Sequence, residues 1–296
     1  MTPLADPARR NAGIAAALLA VGIWAGWLPV TRLGVTTRLT PADIAALRYG
    51  TSGLLLLPFV MVRARDLPWR RIGPLLAAAI GAGVPYFLVF ASGLRLANSG
   101  EGAVLGPGAS GVFTALAAWL VLGERLRGAQ RLGIAITAAG AVLVLAHEVL
   151  GGGVRTGGLL LVLAASLAWA MFTVASRTLR ISPVLIAGFI AVVNAACYLP
   201  VYFAGGGLAR LQQLPAGTIA LQVVYQGVLT GVVALIAFTF AVQRLGAAGA
   251  ATFTPLAPVL AGLFGWLLLG DAVDAATAGG LAAVALGVLV ANRRVG

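Results

Sequence analysis

LGPGASGVFTALAAWLVLGE, residues 105–124, has a second copy in FTPLAPVLAGLFGWLLLGD, residues 253–271. Each copy carries a proline, Pro107 or Pro255, eleven or twelve residues before a tryptophan, and then Trp-Leu-x-Leu-Gly-acid: Trp119 to Glu124, and Trp266 to Asp271. Downstream, Gly133 and Gly140 match Gly280 and Gly287 at the same offset of 147. Upstream, Gly13, Trp24 and Arg32 match Gly158, Trp169 and Arg177 at an offset of 145. The chain reads as an internal duplication, residues 1–148 against residues 149–296. Duplicated apolar segments with helix-breaking residues at matching places point to a two-repeat transporter whose site lies between its halves.

Composition sets the solvent. Sixty percent of the 296 residues are hydrophobic and nine percent charged, with a mean hydropathy of +1.01, more apolar surface than a soluble core can hide. Ten spans of about 20 residues use roughly 200 positions and leave no room for a soluble catalytic domain. All twenty basic residues are arginine. In a soluble chain the net charge of +12 would suggest a nucleic-acid partner; here the positive-inside rule accounts for it, and no nucleic acid is expected. Without lysine there is no phosphate-loop lysine and no Schiff base, and one cysteine, Cys197, falls short of a disulfide or a thiolate metal site. No cofactor and no metal are expected.

Apolar windows bounded by Arg, Gly and Pro predict spans near 12–32, 42–62, 72–94, 99–122, 128–147, 157–176, 183–203, 217–240, 247–269 and 274–291. The first is too long for a signal-peptide core and has a counterpart in the second half. The expected fold is all-α and integral to the membrane. Ten transmembrane helices form two five-helix repeats around a central cavity, the second inverted because each half has an odd number of spans. With the N-terminus cytoplasmic, fourteen of the twenty arginines fall inside: Arg9, Arg10, Arg63, Arg65, Arg70, Arg71, Arg125, Arg127, Arg131, Arg177, Arg180, Arg244, Arg293 and Arg294. Both termini are therefore expected in the cytoplasm.

Candidate functional residues lie within the spans. Pro107, flanked by Gly106 and Gly108, and Pro255 with Pro258, are expected about a third of the way along spans 4 and 9. There a proline frees carbonyls of the preceding turn to face a cavity. A packing kink is the alternative; recurrence in both halves brings a hinge or gate level with it. Thr252 and Thr254 place hydroxyls just before the second kink. Trp24, Trp27 and Thr31 share one face of span 1, and Trp169 and Phe172 one face of span 6, as a cavity wall or an interfacial belt. Gln222 and Gln226, with Tyr225 beside them, form a stripe in span 8 costly to expose to lipid. It serves a cavity or interhelical bonding. Tyr86 and Asn194 are candidates of the same kind. Arg48 is the charge well inside a span; its expected partner is Glu101, with a substrate carboxylate as the sharper reading.

No acid falls mid-span, and the sole histidine, His147, is expected at an outer end, so facilitated or exchange-type movement is expected rather than strong proton coupling. Ser110 is expected at another depth, which leaves no Ser–His pair for an intramembrane hydrolase. A passive channel would be lined like a transporter cavity.

The ten spans, the five-plus-five repeat, Leu47-Arg48-Tyr49 in span 2 and Leu122-Gly-Glu-Arg-Leu126 after span 4 resemble the EamA family of the drug/metabolite transporter superfamily. Within it the chain is most similar to bacterial amino-acid exporters. The resemblance implies an inner-membrane exporter of amino acids or similar small metabolites, with other metabolites or drugs as the alternative. Lipid and a small-molecule substrate are its implied partners. Asp271 stands where the pattern has glutamate, and no arginine follows it, so Leu-Gly-acid reads as a helix-end feature rather than a binding motif.

Overall fold

The computed structural model describes residues 7–126 and 128–291; Arg127, Arg293 and Arg294, counted above for orientation, lie outside them. Described regular structure is helical throughout. Eight helical segments are long and apolar enough to cross a membrane: α1 (Pro7–Thr37), α2 (Pro41–Val62), α3 (Trp69–Leu94), α4 (Ser99–Leu122), α5 (Gly128–Leu150), α6 (Thr156–Leu179), α7 (Pro183–Ala204) and α8 (Ala216–Leu245). Two shorter apolar helices complete the set, α9 (Leu256–Leu269) and α10 (Ala275–Ala291).

Local chemistry fixes the helix starts. Thr40 and Asp43 form a capping box ahead of α2, with Pro41 in its first turn, and Asn98 and Glu101 do the same for α4. Ser182 caps α7, again with proline in the first turn. These side chains satisfy backbone amides that have no partner within the helix. The two Leu-Gly-acid stretches end their helices alike: Gly123 and Gly270 both adopt φ +67, a left-handed conformation that carries no steric cost in glycine.

Packing follows small residues. α5 and α10 run antiparallel with their backbones in contact: a Cβ added at Gly133 would lie 2.3 Å from the Gly287 carbonyl, and one at Gly140 would lie 3.1 Å from that of Gly280. The four glycines matched in sequence thus meet crosswise. α2 packs on α7, α1 on α8 and α9, and α6 on α3 and α4. One end of the bundle, here the Asp271 end, joins Arg32 to Asp271 and Arg155 to Glu101 and Glu148. The opposite, Glu124 end joins Arg177 to Glu124.

The break in the second half differs from the expectation. The helix containing α8 continues unbroken to Ala251, and Thr252, Thr254 and Pro255 form the turn that precedes α9 instead of a kink one third of the way along it. The polyalanine-glycine stretch 246–251 carries no breaker strong enough to stop the helix before Pro255 does. In the first half the break is interior as expected: Val104–Gly108 is a π-helical segment within α4 with Pro107 inside it.

Candidate functional site

The charged centre of the bundle is Arg48, half-buried on the second turn of α2. Its Nη1 donates to Oε1 of Gln226 at 3.0 Å, and Gln226 Nε2 donates to the Thr31 hydroxyl at 2.8 Å. Thr31 in turn donates to the Trp27 carbonyl. Gln226 belongs to an eleven-residue π-helical segment, Val223–Val233, a widened turn of the kind frequent at functional sites. The guanidinium carbon stands 5.5 Å from the ring centres of both Trp27 and Phe87 and 5.7 Å from that of Tyr49. Three rings thus hold a cation that, among the described residues, has no carboxylate partner.

The expected Arg48–Glu101 pair does not form. Glu101 is committed to the Asn98 amide in the capping box and to Arg155 Nη1 at 3.0 Å, so a neutral amide takes its place at Arg48.

Aromatic contacts run on from Arg48. Trp27 stacks on Phe90 at 4.8 Å, Phe90 lies 5.8 Å from Tyr86, Tyr86 5.3 Å from Trp169, and Trp169 4.9 Å from Phe172. The wall joins α1, α3 and α6. Phe87 and Phe90 were not singled out in sequence; their signal is the spacing Tyr86-Phe87-x-x-Phe90 after Pro85, which turns aromatic rings toward one side of the second half of α3. Trp24 stands apart, against Phe238 at 5.0 Å.

Two buried polar atoms near this wall lack a protein partner, Trp27 Nε1 and Gln222 Oε1. Trp27 is 8% exposed, so its indole N–H is a desolvated donor beside a guanidinium. Such a donor costs about 1–3 kcal/mol unless something accepts from it.

The remaining candidates have structural bonds. Asn194 accepts from the Val84 amide at 2.7 Å and donates to the Ala79 and Ile190 carbonyls, which closes the break in α3 between Gly81 and Val84. Gln222 Nε2 donates to Val30 O. The Tyr225 hydroxyl donates to Ile23 O at 3.1 Å and fits because residue 26 is glycine. Just before Pro107, Leu105 O and Gly106 O are both within bonding distance of the Ser166 hydroxyl on α6. Gly106 and Gly108 admit Phe90 and Val284. Pro258 is buried within α9. Ser110 donates to Pro107 O and His147 faces Asp274 at 3.4 Å, so the two do not bond each other.

The halves are not chemically equal. α2 and α7 both have 22 residues and begin with proline, with Pro58 and Pro200 at matching positions; the counterpart of Arg48 is Ile190.

A family model described as the EamA-like transporter family matches the chain twice, over residues 11–146 and 156–293. The chain belongs to the EamA-like transporter family and is a membrane transporter of that class. It is 28% identical over 274 residues to the "Uncharacterized inner membrane transporter YedA" of Escherichia coli K12, covering 90% of this chain and 85% of the relative. It is 29% identical over 306 residues to a "Probable terminal-alkyne amino-acid exporter" of Streptantibioticus cattleyicolor, covering 94% and 93%. A solved crystal structure of a protein superposes with a TM-score of 0.62 at 24% identity over 95% of this chain and 96% of the other, a likeness of fold.

Proposed function

We propose that the protein exports amino acids or closely similar small metabolites across the inner membrane, exposing one central site alternately to either side. The observation that carries this reading is the pairing of two donors without a carboxylate: Arg48, bonded to the neutral Gln226, and the buried, unpartnered Trp27 indole N–H. A carboxylate of the substrate supplies the missing counter-charge for the first and the missing acceptor for the second. The flanking rings of Phe87, Phe90, Tyr86 and Trp169 give an aliphatic or aromatic side chain an apolar wall that sets few limits on its shape. A relative at 29% identity bears the name of a probable amino-acid exporter, which agrees with this substrate class.

The mechanism rests on two inverted halves, residues 1–148 and 149–296, with α9 and α10 completing the ten spans. Two matches to one family model support this division. So does the crosswise meeting of Gly133 with Gly287 and Gly140 with Gly280, since a two-fold axis in the membrane plane exchanges these contacts. The arginine distribution favours cytoplasmic termini and a cytoplasmic Glu124 end. Rocking one half against the other would then open the centre to each side in turn.

The test is counterflow. Purified protein in liposomes, preloaded with unlabelled amino acids, is expected to accumulate labelled amino acid transiently and saturably. Exchange of flat apolar cations but of no amino acid would overturn the substrate class; flux without saturation or counterflow would indicate a channel.

A further inference from the structure

The Trp-Leu-x-Leu-Gly-acid stretch occurs twice and makes the same local structure twice. After the left-handed glycine, the Glu124 amide bonds Ala118 O at 3.3 Å and the Asp271 amide bonds Gly265 O at 3.2 Å. Each acid then meets the arginine at the end of the matching first helix of a half: Asp271 Oδ1 lies 2.8 Å from Arg32 Nε, and Glu124 Oε2 lies 2.8 Å from Arg177 Nη1. The pairs occupy opposite ends of the bundle.

Their surroundings differ. At the Asp271 end the acid side chain is 5% exposed, and its second oxygen accepts from the Ser99 amide at 2.8 Å, the first residue of α4. Ser99 sits against Gly265, where a Cβ would come within 2.4 Å of that of Ser99. Arg32 also donates to the Leu94 and Ala97 carbonyls at the end of α3. The ends of α1, α3, α4 and α9 are thereby clamped together. At the Glu124 end, Arg177 and Glu124 are each about half exposed, beside a cavity of about 330 Å³ also lined by Arg71, Leu122, Thr178 and Arg180. The sequence Arg95-Leu96 with Gly100 recurs as Arg244-Leu245 with Gly249, which makes Ala248 the counterpart of Ser99. Ala248 lies inside a continuous helix, so no helix start is present there for Glu124 to cap.

We propose that the two carboxylates, Asp271 and Glu124, are the gate residues of the transporter, each held by its arginine whether its end is shut or open. Each carboxylate caps the first turn of the facing hairpin when its end is shut, and releases it when that end opens. The Asp271 end is latched and the Glu124 end released; in the opposite state the helix breaks near Ala248, Glu124 accepts from the new helix start, and Asp271 lets Ser99 go. This rests on the alternating-access reading but does not depend on the substrate.

The test uses full-length protein with Cys197→Ser and one reporter cysteine, Ala97→Cys at the Asp271 end or Thr178→Cys at the Glu124 end. Labelling by a membrane-impermeant maleimide is read in nanodiscs without substrate. Asp271→Asn is expected to raise labelling at residue 97 severalfold and lower it at 178. Glu124→Gln is expected to do the reverse, and Asp271→Glu to restore the parent pattern. Unchanged labelling of Asp271→Asn, or shifts in the same direction for both variants, in folded and monodisperse protein would overturn the proposal. If Asp271→Asn does not fold, Arg32→Gln, which takes away the more exposed partner of the latched carboxylate, decides: unchanged labelling at residue 97 overturns it. Because no substrate is present, a failed counterflow assay leaves this result standing, and unmoved labelling leaves the transport reading standing.

Discussion

Replacing Arg48 by glutamine removes the charge that, among the described residues, the proposed central site offers to a carboxylate, while keeping a polar side chain. The guanidinium is already oriented by a 3.0 Å bond to Gln226 and three rings within 6 Å, so a substrate would lose a pre-aimed charged donor. A charge-assisted hydrogen bond is worth about 1.5–3 kcal/mol, and every 1.4 kcal/mol is about tenfold in affinity. The half-saturation concentration for a zwitterionic amino acid in counterflow is therefore expected to rise about ten- to hundredfold. That for the matching amine without a carboxylate should stay within about twofold. Arg48→Lys should fall between, since lysine keeps the charge and loses the planar fork and its stacking. Equal losses for amino acid and amine would refute the assignment and make Arg48 a structural residue.

Trp27→Phe keeps the ring on Phe90 and deletes the unpartnered indole N–H; the substrate-free protein should gain about 1 kcal/mol in unfolding while the half-saturation concentration rises severalfold. Gly287→Ala drives a Cβ to 2.5 Å from Gly133 O, so α5 and α10 must part by nearly 1 Å; a loss of about 1–3 kcal/mol in detergent unfolding is expected, against none for Gly111→Ala, where nothing lies within 4 Å. Ser166→Ala strips the hydroxyl from the Leu105 and Gly106 carbonyls and should cost about 1–2 kcal/mol in the same assay. Partial burial works to raise the Asp274 carboxyl, but Thr277, with His147 and Arg155 nearby, holds it below its usual 3.8. The stability it contributes is full above that pH and fades as pH falls through the lowered value, so Asp274→Asn should flatten the acid limb of a pH–unfolding curve.

Much of the scaffold was legible because it depends on backbone chemistry that few residue types provide. The helix-ending glycines at 123 and 270 and the glycines of α5 and α10 announce themselves at fixed spacing, whereas the Thr40 and Asn98 caps emerged only with the structure. The centre was legible only by residue type. Arg48, Gln226 and Trp27 stood out as costly or bulky groups inside apolar runs, yet their mutual contacts depend on a register between α1, α2 and α8 that periodicity does not contain. Glu101 was matched to Arg48 because a buried charge seeks an opposite one. Its capping duty and Arg155, arriving from the α5–α6 connection, had the stronger geometric claim. The helix running through to Ala251 was missed for a different reason: small residues permit a break and do not compel one.

Arg48 facing a neutral amide has an electrical consequence. Moving one elementary charge through the whole membrane potential is worth about 2.3 kcal/mol per 100 mV, and among the described residues no carboxylate cancels this one. If the proposed alternating access operates, reorientation of the empty carrier is voltage-dependent in proportion to the share of the field that the guanidinium crosses. A bound anion neutralises the charge and abolishes that dependence, whereas a zwitterion leaves the net charge in place, so capacitive current separates the two kinds of cargo.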